Sequence, residues 1–90
     1  MKIKKGFELQ NVCGEYIIVP TGIENIDYSK IISLNETAAY LWEGCSKIDN
    51  FTIDTMVEML MREYEVEEDI AREDCEKIIA RWIEMELAEE

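Results

Sequence analysis

Two kinds of hydrophobic pattern divide the chain. Between residues 7 and 12, Phe7 and Leu9 alternate with Glu8 and Gln10, which is typical of a half-buried strand. Residues 16–19 form a continuous β-branched and aromatic run, and a third, looser alternation extends over residues 26–34. The pattern therefore predicts three strands between residues 7 and 34.

Turn signals separate the predicted strands. Gly14, preceded by Cys13, can adopt the positive φ that a tight hairpin requires, which predicts a hairpin between the first two strands. Pro20 and Gly22 are expected to end the second strand. A meander of three strands is too small to be stable alone, so we expect helices to cover it.

Apolar residues at helical spacing follow in three groups. Asn35 and Thr52 are placed to cap the first two of the predicted helices, which cover about residues 35–46, 52–64 and 67–86. Their apolar stripes are Ala38, Leu41, Trp42 and Cys45 in the first helix, Ile53, Met56, Val57, Leu60 and Tyr64 in the second, and Ala71, Cys75, Ile78, Ile79 and Trp82 in the third, which Ile83 widens.

The resulting order is β-β-β-α-α-α. It predicts an α+β, winged-helix-like fold, with a three-stranded antiparallel sheet followed by a three-helix bundle. Ninety residues are enough for one domain, so we expect residues 1–90 to form a single unit.

The charge of the chain is concentrated in the helical part. The formal net charge is −12, and residues 1–34 carry four cations and four acids, so residues 35–90 account for all of it with five of the nine cations and seventeen of the 21 acids. Such a surface repels phosphate backbones and anionic lipids, which argues against nucleic-acid and membrane partners. A DNA-recognition helix would also need cations, and the predicted second helix offers only Arg62 among three acids.

The residues needed for most catalytic chemistry are missing. The chain has no histidine, and its three cysteines, Cys13, Cys45 and Cys75, lack the spacing of zinc or redox sites. We interpret them as buried or half-buried free thiols in a reducing compartment. The acids of residues 67–76 lie on a predicted helix rather than in a calcium loop, and are interpreted as a solvated face paired with Arg72, Lys77 and Arg81. We therefore expect no enzyme activity, no metal and no cofactor.

No targeting segment is recognisable. The lysines at positions 2, 4 and 5 are not followed by an apolar stretch of the length that a signal peptide or a membrane span requires. We expect a soluble cytoplasmic protein.

Protein or peptide binding remains. The predicted third strand is the last of the meander and hence a candidate edge, to which an extended peptide can add as a further strand. Periodicity leaves the alternatives open: the edge binds a peptide, is covered by the protein's own helix, or pairs with another copy of the chain. The last alternative predicts a homo-oligomeric interaction domain.

A sequence block at the start of the first helix is more specific. Residues 34–39 read Leu-Asn-Glu-Thr-Ala-Ala and residues 41–43 read Leu-Trp-Glu, which resembles a signature of the PqqD family. The pattern of residues 7–88 agrees with the same family, which commonly ends its third helix in Gly-Leu, where this chain has Glu86-Leu87. Within the block, Leu34 and Trp42 are interpreted as core residues and Asn35 as a helix cap.

The resemblance implies a non-catalytic module that recognises a ribosomally made precursor peptide. Such a module binds the leader segment of the precursor by strand addition, between the third strand and the third helix, and presents the peptide to a modifying enzyme, typically a radical SAM/SPASM protein. Carried onto this chain, the implied peptide-binding residues are Ile26, Asp27, Tyr28, Ser29, Lys30, Ile31, Ile32, Arg72, Glu76, Ile79 and Ile83. The last four are spaced to line one face of the third helix, apart from Cys75, Ile78 and Trp82.

Overall fold

A computed structural model describes residues 1–21 and 32–90. The elements, in chain order, are β1 (Lys2–Ile3), β2 (Phe7–Val12), β3 (Glu15–Pro20), β4 (Ile32–Leu34), α1 (Glu36–Ser46), α2 (Ile53–Glu63), α3 (Glu68–Glu84) and β5 (Ala88–Glu89). Strands β2, β3 and β4 form an antiparallel sheet in that order, and three helices follow. The predicted α+β class and the β-β-β-α-α-α order are confirmed, with two additional short strands at the ends.

The hairpin between β2 and β3 is the predicted two-residue turn. Cys13 and Gly14 both have positive φ, 54° and 83°, which gives a turn whose twist matches that of the flanking strands. The Asn11 side chain accepts a hydrogen bond from the Gly14 N–H at 3.1 Å. Cys13 is exposed at the tip of this turn, so the expectation that all three thiols are at least half-buried is wrong for this one.

Side-chain caps fix where the first two helices begin. The Asn35 side chain accepts a hydrogen bond from the Ala38 N–H at 2.8 Å. Thr52 and Thr55 form a reciprocal capping box at the start of α2. Both caps bind backbone donors that the first helical turn leaves without partners.

The end of α3 is a left-handed cap. Glu86 has a φ of 61°, its N–H donates to the Ile83 carbonyl at 3.0 Å, and the Leu87 N–H donates to the Trp82 carbonyl at 2.8 Å. This pair of bonds defines a Schellman motif, and Glu86 occupies the position that usually holds glycine. The side chains of Leu87 and Trp82 are both buried in the core.

The chain termini form a small ribbon that sequence periodicity did not predict. Strands β1 and β5 pair antiparallel, with Lys2 opposite Glu89 and Ile3 opposite Ala88. Backbone bonds extend it: the Lys4 N–H donates to the Leu87 carbonyl at 2.9 Å, and the Phe51 N–H donates to the Met1 carbonyl at 2.7 Å. The ribbon therefore ties the first residues both to the end of α3 and to the α1–α2 loop.

One core joins the sheet to the helices. Trp42 of α1 and Trp82 of α3 meet edge to face, with ring centroids 5.2 Å apart at an interplanar angle of 85°. This is a favoured arrangement for aromatic rings, and the contact stabilises the packing of α1 against α3. Besides Trp82, the large side chains at most 2% exposed are Ile18, Leu41, Phe51, Met56, Leu60 and Leu87.

Candidate functional site

The described part of the predicted third strand lies at the outside of the sheet. Strand β4 pairs with β3 in the register Ile32–Ile18, Ser33–Ile17 and Leu34–Tyr16. Within residues 1–21 and 32–90, β3 is the only strand that pairs with β4. The candidate site residues Ile26 to Ile31 lie outside the described residues, and Ile32 is half-buried at the start of β4.

The predicted face of α3 lies at the margin of its buried stripe. Ala71, Cys75 and Trp82 are buried along the centre of that stripe. Successive residues are rotated by about 100° around a helix, which places Ile79 at the edge of the stripe and Arg72, Ile83 and Glu76 beyond it, in that order. Ile83 is half-buried and Glu76 exposed.

Ile79 lies in the core, as its place in the predicted apolar stripe indicates. It is only 6% exposed and belongs to the hydrophobic core, whereas Ile78, from the same predicted stripe, is half-buried. The assignment of Ile79 to a face separate from Cys75 and Trp82 is therefore wrong. Spacing orders the side chains around the helix but does not show how far the covering elements reach.

Arg72 connects the candidate face to α2. Its guanidinium lies 2.8 Å from a carboxylate oxygen of Asp54, in the first turn of α2, and 3.6 Å from Glu68, one turn earlier on α3. The hydrogen bond to Asp54 is the main cause that raises the pKa of Arg72. Two of the ion pairs expected on the acidic face are present, Glu68–Arg72 and, at 3.3 Å, Glu73–Lys77. Helix periodicity could not reveal the bond from Arg72 to Asp54, because it joins two helices.

The signature block has the structural roles that its residues suggested. Asn35 caps α1, Trp42 is 3% exposed in the core, and Leu34 packs half-buried against the core. The block thus fixes the junction between β4 and α1, and with it the position of the candidate edge.

The two interior cysteines are buried, and burial makes their thiols less acidic. Burial raises the pKa of the Cys45 thiol to about 12, with a smaller contribution from nearby Cys75. Burial also raises the pKa of Cys75 to about 11, aided by Asp74. Both thiols therefore stay protonated near neutral pH and act as small apolar core residues.

A second concave surface lies away from α3. This surface is a groove of about 460 Å³ between the start of β3, the outer face of α1 and the end of α2. Tyr16, Tyr40 and Tyr64 line its wall. Sequence analysis missed it because the three tyrosines come from three different elements. Their shared half-buried character is visible only after folding.

None of the helices within the described ranges has both the length and the apolar character needed to cross a membrane.

A known protein with the same architecture is similar to this chain. The chain is similar to a solved structure described as TbiB1 in complex with the TbiA(beta) leader peptide, with a TM-score of 0.72 and 15% sequence identity, over 97% of this chain and 93% of that one. At this identity the likeness shows a shared fold. No curated protein sequence matches. The family model of coenzyme PQQ synthesis protein D (PqqD) matches residues 18–88, which is most of the chain and includes the signature block, and the chain therefore belongs to the PqqD family.

Proposed function

We propose that this protein is a non-catalytic peptide-binding module that holds the leader segment of a ribosomally synthesised precursor peptide. The observation that carries the proposal is the position of β4 at the outside of the β2-β3-β4 sheet, since an outer strand can accept a peptide as a further strand. The fold shared with TbiB1, whose structure contains a leader peptide, supports this choice.

The leader is proposed to lie between the third strand and α3. Ile32 of β4 and Ile83 of α3 both pack half-buried against the same core, so their outer parts offer apolar surface to a peptide. Arg72 and Glu76 continue the same face of α3 with charged groups. Main-chain hydrogen bonds to the strand would supply affinity, each worth about 0.5–1.5 kcal/mol net, and the α3 face would select side chains.

The remaining contacts of the proposed site come from the segment 26–31. The family resemblance implies that these contacts involve Ile26, Asp27, Tyr28, Ser29, Lys30 and Ile31.

The bound precursor is proposed to be presented to a separate modifying enzyme in the cytoplasm, of the radical SAM/SPASM class that the family resemblance implies. The absence of histidine from the sequence and the raised pKa values of the two buried thiols favour a binding role over a catalytic one.

Backbone methylation of the peptide tests strand addition. The probe is a synthetic peptide copied from the N-terminal part of a short precursor encoded beside this chain's gene, here called the leader probe. In an added strand, alternate N–H groups point to the neighbouring strand. Each test peptide carries a single N-methyl group. At every second position this group should weaken binding about tenfold, which corresponds to the loss of one or two hydrogen bonds. At the intervening positions it should have little effect. Equal sensitivity at all positions, or at none, would contradict strand addition.

Pairing of the same edge with another copy of the chain predicts a different result. Light scattering of the proposed binding module should show a monomer that forms a one-to-one complex with the leader probe. A dimer that the probe cannot dissociate would support the homo-oligomeric alternative.

A further inference from the structure

The groove bounded by Tyr16, Tyr40 and Tyr64, which we call the tyrosine groove, has no part in the proposed leader site. Its lining comes from β3, α1 and the end of α2, and includes no residue of α3. A separate, smaller cavity of about 300 Å³ shares Tyr16 and Glu36 with it, but it is also lined by Ser33 and Leu34 of β4 and so adjoins the proposed leader site. The main groove, about 460 Å³, is within the size range of ligand-binding clefts.

Aromatic side chains in the tyrosine groove are held in place. The rings of Tyr40 and Tyr64 are 5.9 Å apart between centroids and tilted by 44°, and the Tyr40 hydroxyl donates to the Met59 carbonyl at 3.2 Å. The Met59 side chain packs against Gly44, since a Cβ at this position would lie 2.8 Å from the Met59 sulfur. The groove thus presents preordered ring surface, and the face of a tyrosine ring attracts cations.

The rim of the tyrosine groove is acidic. Glu36, Glu43 and Glu63 line it together with a single cation, Lys47. Among the described residues, none of these four side chains takes part in an ion pair within 4.0 Å. The carboxylates and the ring faces therefore both favour a positively charged occupant.

We infer that the tyrosine groove binds an arginine-bearing segment of a partner protein. A guanidinium group is planar, stacks on aromatic rings and binds carboxylates through paired hydrogen bonds, whereas an ammonium group offers only a compact charge. The net charge of −12 attracts such a segment from a distance. This inference rests on the groove itself and does not depend on the leader site.

The test uses the full chain, labelled with ¹⁵N, and a blocked Gly-Arg-Gly-Arg-Gly peptide at about 150 mM salt, where loose surface attraction is screened. A matched peptide carries citrulline, the uncharged analogue, at both arginine positions. We expect saturable amide shifts at Tyr40, Glu43, Gly44 and Tyr64, and binding of the citrulline peptide that is weaker by about tenfold. Equal binding of the two peptides, or arginine-peptide shifts spread over the acidic surface of α3, would overturn the inference.

Charge variants test whether the carboxylates of the tyrosine groove bind the arginine peptide. The Glu43→Gln/Glu63→Gln double variant should weaken arginine-peptide binding about fivefold, and Lys47→Gln should strengthen it about twofold. The control, Glu84→Gln/Glu90→Gln, removes the same charge outside the groove and should change affinity by less than about twofold. Equal weakening by the two double variants would show a general charge effect and overturn the assignment.

Discussion

The guanidinium of Arg72 on α3 lies 2.8 Å from the Asp54 carboxylate on α2, at the margin of the proposed leader site. The bond orients a cation on the same flank of α3 as Ile83, several turns before it, without burying it, since the Arg72 side chain keeps 39% of its surface exposed. Exposed ion pairs add little to stability, so the contact is better suited to positioning Arg72 for a ligand than to holding the helices together.

Replacing Arg72 by alanine should separate binding from folding. We expect the midpoint of urea unfolding to change little, because the pair is exposed to solvent, and the affinity for the leader probe to fall several-fold. Arg81→Ala is the control, since Arg81 is also an exposed α3 cation but lies on the far side of the helix from Arg72. Calorimetry that gives equal affinities for the two variants would remove Arg72 from the site.

The left-handed cap at the end of α3 predicts a stabilising substitution. Glu86 has a φ of 61°, a conformation that costs a residue with a side chain about 1 kcal/mol or more relative to glycine. Glu86→Gly should therefore raise the free energy of unfolding by about 0.5–1 kcal/mol, measured by urea denaturation. Ala80→Gly, at an exposed position within the same helix, should instead lower it by about 1 kcal/mol. A loss of stability in Glu86→Gly would show that its side chain makes a favourable contact.

The cap of α1 predicts the effect of a single change in the signature block. Asn35→Ala removes the acceptor of the Ala38 N–H and should lower the free energy of unfolding by about 1 kcal/mol. Asn35→Asp keeps an acceptor at the helix start and should remain close to the original protein. If alanine and aspartate were equally destabilising in urea denaturation, the amide would have a role other than capping.

The three thiols should react very differently. Cys13 is exposed at the hairpin tip, and Cys45 and Cys75 are buried. In the folded protein at about pH 8 an aromatic disulfide reagent should label one thiol rapidly, and Cys13→Ser should abolish that reaction, whereas in urea all three thiols of the original protein should react. Rapid native labelling of Cys13→Ser would contradict the packing of the core.

Burial of Cys45 and Cys75 makes the free energy of unfolding depend on pH. Their folded pKa values, about 12 and about 11, are above the ordinary value of 9.0. Their contribution to stability is therefore complete below pH 9 and is lost as the pH rises toward 11–12, because the unfolded chain ionises first. Urea denaturation should show the free energy of unfolding falling above pH 9, and a rise there would reverse the expected sign.

Local patterns were sufficient to predict the three helices, the N-terminal caps of the first two, and the hairpin. Asn35, Thr52 and the Cys13-Gly14 turn act within three residues of their own position in the chain, so the sequence carries their signals directly. The terminal ribbon could not be found in this way, because two-residue strands have no periodicity and Lys2 meets Glu89 only after folding.

The candidate site was predictable only in part. Helical spacing puts Arg72, Glu76 and Ile83 along one flank of α3, but it assigned Ile79 both to this flank and to the apolar stripe, and Ile79 lies inside the core. The bond from Arg72 to Asp54 joins two helices, and such a contact depends on their packing rather than on either pattern.

Burial of Ile79 decides which substitution should test the central claim. A charge at Ile79 would unfold the core and abolish binding for an uninformative reason. Ile83 is half-buried on the proposed leader-binding flank, and Ile70 is 49% exposed on the other side of the same helix. Ile83→Asp and Ile70→Asp therefore form a matched pair, and circular dichroism should show that both variants remain folded.

Amide-shift mapping with the leader probe is the most direct measurement of where the peptide binds. We predict that the original protein shows its largest shifts at Ile32–Leu34 and at Arg72–Ile83, that Ile83→Asp weakens binding about tenfold or more by placing a charge in an apolar contact, and that Ile70→Asp binds as the original protein does. Shifts confined to residues 52–64, with β4 and α3 unaffected and Ile83→Asp binding normally, would contradict the account.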